Sequence, residues 1–468
     1  MMRVILLLSG LFAVFSAAAE DLNSWQKRMP ISFSGFPADD GKLTNFPALV
    51  ILSNTAAGVG FNYTDFLSPP WGDLRFAAAD KTTPLDFEVE AWNPGGLSYV
   101  WVRIPELTNN TVIHALWGKG GVVAPPCATN GAVWTDEFRG VWHLNGNTLD
   151  ATSNKYHGVN YGATVSAGIA AGGHGLNGTS AYIDLPANLR GLGASGAFSI
   201  FCWFQQDAVD NGTLLEDGTS WTSDSIYLGL SSANQMFVRL NTVTKPSGVY
   251  SDTVPVGTIG TNWRAVAYVY DGASATLYLD AVQVWSAAIS GTIYNGNTHM
   301  QMGRRPQGTG SFLRGLMDEV RIQNVSHSLN WIRACFINMA SNSVFNSYGA
   351  PEYGGGPVVT NLGAVSEIDF MTLNGYLLST GMDANVSAAV FWGTNDAGPI
   401  AEGWTYTNRM PGIAAEGPLS VNVTPDKVGA LYYFRFFASN SFSQGWASPA
   451  HGFIWWADVR TGSVFSTW

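Results

Sequence analysis

Trp263–Tyr270 is an unbroken apolar and aromatic run apart from Arg264; it halts at Asp271-Gly272 and resumes as Ala275–Leu279. Two such runs joined by an Asp-Gly turn form an antiparallel pair, because that dipeptide tolerates the left-handed backbone of a tight hairpin. Asp280-Ala281 repeats the turn before Val282–Trp285. Short apolar runs and turns recur along all 468 residues, with 53 Gly to supply the turns. Hydrophobic residues make up 46% and charged residues 12%, so the chain can bury a large core and is not disordered. The fold class expected is all-β, in about three domains.

Met1–Ala19 carries Arg3, an apolar stretch Val4–Phe15 and then Ala17-Ala18-Ala19. This is the pattern of a secretory signal cut before Glu20. No later segment has the 18 continuous apolar residues of a membrane span. The expected location is therefore outside the cell, at its surface or in the periplasm. A net charge of −11 without any run of Lys or Arg excludes nucleic acid as a partner. The three cysteines, Cys127, Cys202 and Cys335, are too few and too far apart for a disulfide framework. Cys202 lies in an apolar strand, and a Cys202–Cys335 bridge stays open as an alternative to burial.

The first third reads as strands around Met29–Phe33, Phe46–Leu52, Leu85–Trp92 and Leu97–Ile104. Four segments, Trp25…Pro30-Ile31, Asp73-Leu-Arg-Phe76, Glu88-Val-Glu-Ala-Trp92 and Trp101-Val-Arg-Ile-Pro105, resemble an exported bacterial domain of unknown function, DUF2341, over residues 22–130. The resemblance implies a β-sandwich and no activity. Residues 139–340 resemble the laminin-G, concanavalin A-like jelly roll. That likeness rests on Asp150-Ala-Thr-Ser-Asn-Lys-Tyr-His-Gly158, Gly175–Leu185 and the closing strand Gly315-Leu-Met-Asp-Glu-Val-Arg-Ile322. Leu329, Ile332, Arg333 and Phe336 have helical spacing, so a short helix is expected over 328–338. Residues 341–357, ending in Glu352-Tyr-Gly-Gly-Gly-Pro357, read as a linker. Residues 358–456 resemble a fibronectin-III-like module, in which Tyr432 or Tyr433 would serve as the corner tyrosine.

Four groups of residues could carry chemistry. The resemblance to laminin-G modules implies one Ca²⁺ where the chain enters the jelly roll and the closing strand ends, with Asp150 and Asp318 as ligands. Asp318 and Glu319 alternate along a strand, so they are expected on opposite faces, and only one can serve. The structural alternative has Asp318 pair with Arg304, Arg305 or Arg321. Asp86, Glu88 and Glu90 share one strand face, which is where a glycosidase of this fold would place paired carboxylates. Ordinary amphipathic alternation gives the same pattern, and no catalytic residue is assigned. The seven histidines, His143 among them, show no metal spacing and read as structural or surface residues. Trp221, Tyr227 and Trp285 are the candidate sugar-stacking rings, with Trp221 in the polar loop Asp217–Asp224.

The function these readings favour is a non-catalytic recognition or adhesion protein that binds a glycan or an extracellular protein surface. The alternatives are a glycan-cleaving enzyme of jelly-roll fold and a structural spacer of the cell surface.

Overall fold

A computed structural model describes residues 20–456, apart from 21, 56–59, 136, 187–195, 208–210, 219–225, 232–234, 255–258, 294–299, 307–309, 354, 382, 384, 411–415 and 442. The expected signal segment and Trp221 lie outside the described residues. The described chain is almost entirely β, arranged as three sandwiches. No described helix is long and apolar enough to cross a membrane.

The N-terminal sandwich stacks a six-stranded sheet on a three-stranded one. The first has the order Ser347–Tyr348, Lys27–Ser32, Val112–Trp117, Arg75–Ala77, Pro84–Leu85, with Glu352–Tyr353 also on Lys27–Ser32. The second is Leu43–Leu52, Ser98–Leu107, Phe87–Ala91. The quoted motif residues hold this sandwich together. Asp73 is buried, and its carboxylate accepts the amides of Leu67, Ser68, Gly118 and Lys119 at 2.9–3.1 Å. Trp25 Nε1 donates to the Asp73 carbonyl at 2.6 Å, and Arg75 lies 5.1 Å from the Trp25 ring centroid.

Segment 341–357, expected as a linker, is instead built into this sandwich. Ser347–Tyr348 and Glu352–Tyr353 add strands to the N-terminal sheet, and the side chains of Asn338, Asn342 and Asn346 all donate to the Leu49 carbonyl. Short polar residues of this kind look like loop composition in a sequence, whereas here they satisfy the backbone of a buried strand.

The central jelly roll has two sheets. One runs Thr164–Ala167, Gly172–Asn177, Arg314–Gln323, Phe198–Gln206, Arg264–Tyr270, Ser274–Leu279, Val282–Ala288, with Phe138–Trp142 on the far half of Arg314–Gln323. The other runs Lys245–Val254, Gln235–Thr242, Ile226–Ser231, Gly212–Asp217, Met300–Met302, Tyr182–Leu185, Val159–Tyr161. The turns form as their residues dictate. Asp271 Oδ1 accepts the amides of Ala273 and Ser274 at 2.9 and 2.7 Å. Asp280 and Ala281 both have positive φ, 49° and 62°, the left-handed pair of a two-residue hairpin.

Strand alternation decides what each sheet covers. On Phe198–Gln206, Ile200, Cys202 and Phe204 fill the space between the two sheets, while Phe201 and Trp203 point outward. On Arg264–Tyr270, Val266, Tyr268 and Tyr270 point in, and Ala265, Ala267 and Val269 point out. These outward residues join one cluster with Trp101 and Trp134 and with Trp331, Ile332, Cys335 and Met339 of the helix Leu329–Ala340. The first sheet is therefore docked on the N-terminal sandwich and the helix. No described residue of the second, far sheet enters that cluster. The helix starts where expected, with Ser328 Oγ accepting the Trp331 amide as its N-cap.

Cys202 and Cys335 lie on opposite sides of the docked sheet, and both are free thiols, so no bridge joins them. The C-terminal sandwich stacks Val358–Ser366, Met371–Ser379 and Gly417–Val423 on a five-stranded sheet around Leu431–Ser439. Tyr432 is buried and its hydroxyl donates to Asp426 Oδ1 at 2.5 Å while accepting the Lys427 amide, which ties the 426–427 loop to the strand.

Candidate functional site

The junction between the N-terminal sandwich and the docked sheet gathers the acidic residues singled out above. Glu88 and Glu90 do share one face of Phe87–Ala91, the face turned to the jelly roll. Glu88 Oε2 accepts Trp134 Nε1 at 2.6 Å, and Glu90 Oε2 accepts Trp101 Nε1 at 2.9 Å. Asp86 lies apart from them and pairs with Arg103.

Asp318 and Glu319 do not alternate as a regular strand requires. Two residues, Glu319 and Val320, stand opposite the single Cys202, since Phe201 pairs with Arg321 and Trp203 with Asp318. Glu319 sits in the left-handed region at φ 50°. This β-bulge brings both carboxylates to the side of Glu90. The structural alternative also shifts, because Arg321 pairs with Glu319, donating from Nη2 to Oε2 at 2.7 Å. The Arg321 guanidinium lies 4.3 Å from the Trp101 ring centroid and 5.3 Å from that of Trp134.

His143 closes the group. Its Nδ1 is 2.5 Å from Glu319 Oε1 and 3.7 Å from Glu90 Oε2, and its Nε2 is 3.7 Å from Glu88 Oε2. Burial alone would lower the His143 pKa. The carboxylates of Glu319 and Glu90 outweigh it and hold the imidazole well above its ordinary value. Burial pushes Glu90 up to about 8 against the pull of His143, and burial with Glu319 and Glu90 nearby raises Asp318 well above its usual range. For Glu319, burial is overcome by His143 and Arg321, and the pKa falls. A pocket of about 400 Å³ opens beside Glu88, Glu90 and His143, walled by Asn145, Asn147 and Lys155. No Trp, Tyr or Phe is among its lining residues.

The far sheet carries a different surface. Its inward residues, Ile183, Leu214, Leu228, Val238 and Met302 among them, fill the jelly-roll core. Its outward residues form one row across five strands, Asp184–Gln301–Glu216–Tyr227–Arg239, each in register with the next. Gln301 Nε2 donates to Asp184 Oδ1 at 2.6 Å, and Arg304 Nε donates to Gln301 Oε1 at 2.7 Å. Glu216 lies between Arg239 and Arg305, at 3.5 and 3.3 Å. Burial pushes Glu216 up to about 7, with the two arginines opposing it.

One end of the row reaches solvent. The rings of Tyr161 and Tyr182 stack in parallel at 4.6 Å, and Arg304 covers Tyr182 at 3.8 Å from its centroid. Tyr161 is 48% exposed, so the stack ends at solvent.

The residues expected to bind ligand are dispersed. Tyr227 belongs to the row but is 2% exposed, under Arg305 and beside Phe237. Trp285 lies on the edge strand of the docked sheet and packs half-buried against the jelly-roll core. Asp150 is buried and accepts the amides of Val141, Thr152 and Tyr156 at 2.7–2.9 Å, together with the Thr152 hydroxyl. Asp318 accepts the amides of Ile169, Ala170 and Glu319 at 2.7–3.1 Å. Both carboxylates thus order loops of their own. Sequence reasoning missed His143, Tyr161 and Arg304. The Trp142-His143 pair within an apolar strand was a signal for His143, because a polar ring in such a run needs a buried partner.

Residues 177–333 match the family described as the concanavalin A-like lectin/glucanases superfamily. Comparison with curated proteins gives no significant match. Among solved structures, domain 4 of AbnA, a GH43 extracellular arabinanase from Geobacillus stearothermophilus in complex with arabinotriose, is similar at 16% identity, over 42% of this chain and 97% of that one, with a TM-score of 0.35. The CBM40 of the Ruminococcus gnavus IT-sialidase, bound to α2,3-sialyllactose, is similar at 14% identity, over 35% of this chain and 96% of that one, with a TM-score of 0.30. The receptor binding domain of a botulinum neurotoxin C/D mosaic serotype is similar at 10% identity, over 64% and 71%, with a TM-score of 0.36.

Proposed function

We propose that this chain is an exported or surface recognition protein that binds glycans on the far sheet of its jelly roll. The observation that carries the reading is the Tyr161–Tyr182–Arg304 stack at the solvent end of a polar cross-strand row. A pyranose ring offers an apolar face to an exposed aromatic ring and hydroxyls to amides and carboxylates around it. Asp184, half-buried and fixed by the hydrogen bond from buried Gln301, supplies an acceptor in a defined position beside Tyr182. The Glu216–Arg239–Arg305 group behind them stiffens the row. The docked sheet is covered by the N-terminal sandwich, and Gln301, Glu216, Tyr227 and Arg239 of the far sheet's row are buried, so the Tyr161–Tyr182 end is the part of the row open to a ligand.

A glycan-cleaving enzyme is the rival, and Glu88 and Glu90 do line one pocket. Its walls hold no Trp, Tyr or Phe ring on which a sugar could stack, so we do not adopt it.

The test is a glycan array on the full chain without its first 19 residues, repeated for Tyr161→Ala and Trp285→Ala. Binding that is lost in the first variant and kept in the second supports the far-sheet site. Binding kept in Tyr161→Ala removes that site, and a silent array for all three proteins leaves a protein surface as the ligand to seek. Trp221→Ala belongs in the same series, because its loop follows the strand that carries Glu216.

A further inference from the structure

The junction between the N-terminal sandwich and the jelly roll contains a second, separate constellation. We propose that Glu90, His143 and Glu319 bind one divalent transition-metal ion of the Zn²⁺ class, which clamps the two sandwiches together.

Geometry supports this first. One oxygen from each glutamate and a ring nitrogen of His143 lie within 4.8 Å of one another. Two ligands on one Zn²⁺, each about 2.0–2.2 Å away, stand no more than about 4.4 Å apart, so small side-chain shifts complete the set. His143 Nδ1 is the atom that faces both Glu319 Oε1 and Glu90 Oε2.

A second observation is independent of the acidic cluster. Glu90 Oε1 and His143 Nε2 are buried without a hydrogen-bond partner, on side chains only 2% and 10% exposed. A buried polar atom left unpaired is costly, and a site that binds an ion with water accounts for both atoms. The pocket of about 400 Å³ beside them gives water and a small ligand access to the remaining position.

The outer contacts have the form seen around metal ligands. Trp101 Nε1 holds Glu90 Oε2, and Arg321 holds Glu319 Oε2, which leaves Oε1 of Glu319 turned to His143. One imidazole and two carboxylates suit Zn²⁺ or a neighbouring first-row ion and not Ca²⁺, which takes oxygen only. The three ligands come from residues 90, 143 and 319, which no local sequence motif would connect.

The experiment uses the full chain without its first 19 residues, stripped with chelator and dialysed. Zn²⁺ is titrated by calorimetry, with metal content and thermal midpoint as parallel readouts. One equivalent should bind and raise the midpoint. Glu90→Gln, which keeps the shape of the pocket, should weaken binding about tenfold or more, and Asp150→Asn should leave it unchanged. Anomalous diffraction from the Zn²⁺-loaded wild type places the ion without any variant, should Glu90→Gln fail to fold. A folded wild type that binds no Zn²⁺, or Zn²⁺ located away from His143, overturns the proposal. So does binding that Glu90→Gln leaves intact.

Discussion

The guanidinium of Arg321 lies 4.3 Å from the ring centroid of Trp101, with one residue on the jelly roll's closing strand and the other on the N-terminal sandwich. The same guanidinium neutralises Glu319, whose side chain is fully buried. Arg321→Ala therefore leaves a buried carboxylate short of a partner and opens a gap between Trp101 and Trp134. The expected loss is about 3–5 kcal/mol in urea unfolding. Arg321→Lys keeps the charge but not the planar fork, and should fall between. A loss under about 1 kcal/mol for the alanine variant, the level of an exposed pair, would show that the contact anchors nothing.

Trp203 tests whether the two sandwiches share one core. It is 2% exposed, stacks on Phe336 at 5.7 Å and places Nε1 3.2 Å from Met339 Sδ. Trp203→Ala should cost about 3–5 kcal/mol. The N-terminal sandwich and the jelly roll should still unfold in one step, with tryptophan fluorescence and far-UV circular dichroism coinciding. Two separated transitions in the wild type would contradict a common core. Residues 139–327 produced alone, without the N-terminal sandwich and without the helix, should bind a hydrophobic dye, because Phe201, Trp203 and Val269 lose their cover.

Glu216 should make stability depend on pH. Its pKa rises from 4.5 to about 7 on folding, chiefly through burial. Between those values the folded chain keeps a proton that the unfolded chain has released, so stability falls as pH rises from about 4.5 to about 7 and is flat above. The loss attributable to this one group is on the order of 1–3 kcal/mol. Glu216→Gln should flatten that part of the profile. An unchanged slope in the variant would assign it to other groups.

Burial raises the thiol of Cys202 to about 12 and that of Cys335 to about 11, so neither is a thiolate at neutral pH. Both should resist alkylation in the folded chain and react in denaturant. Mass spectrometry without reductant should show no Cys202–Cys335 bridge.

The sequence was most legible where local chemistry decides local shape. Asp271-Gly272 and Asp280-Ala281 specify their turns, and the Glu88–Glu90 alternation put both carboxylates on one face. What those carboxylates face depends on a sheet that joins Phe138–Trp142 to the distant closing strand Arg314–Gln323, and no periodicity reports that. The bulge at Glu319 was illegible for another reason. An extra residue in one strand shows only against its partner, here Phe201–Trp203, and it reversed the expected separation of Asp318 from Glu319. Loop-like composition misled at 341–357, because asparagine amides serve a buried carbonyl as well as they serve solvent. Tyr227 lies in the cross-strand row but at its buried end. Tyr161, on a three-residue edge strand, gave no pattern long enough to read.

The strand Ser347–Tyr348 pairs with Lys27–Ser32, and the side chains of Ser32 and Ser347 touch across a separation of 315 residues. The opening segment of the chain cannot complete its sheet until that distant partner has been synthesised. At ribosomal speed the delay is roughly 15–60 s. During that interval Lys27–Ser32 presents an unpaired edge, to a chaperone or to another nascent chain. Truncation anywhere before residue 348 makes this exposure permanent, so shortened products should be cleared or aggregate instead of accumulating as a functional N-terminal fragment.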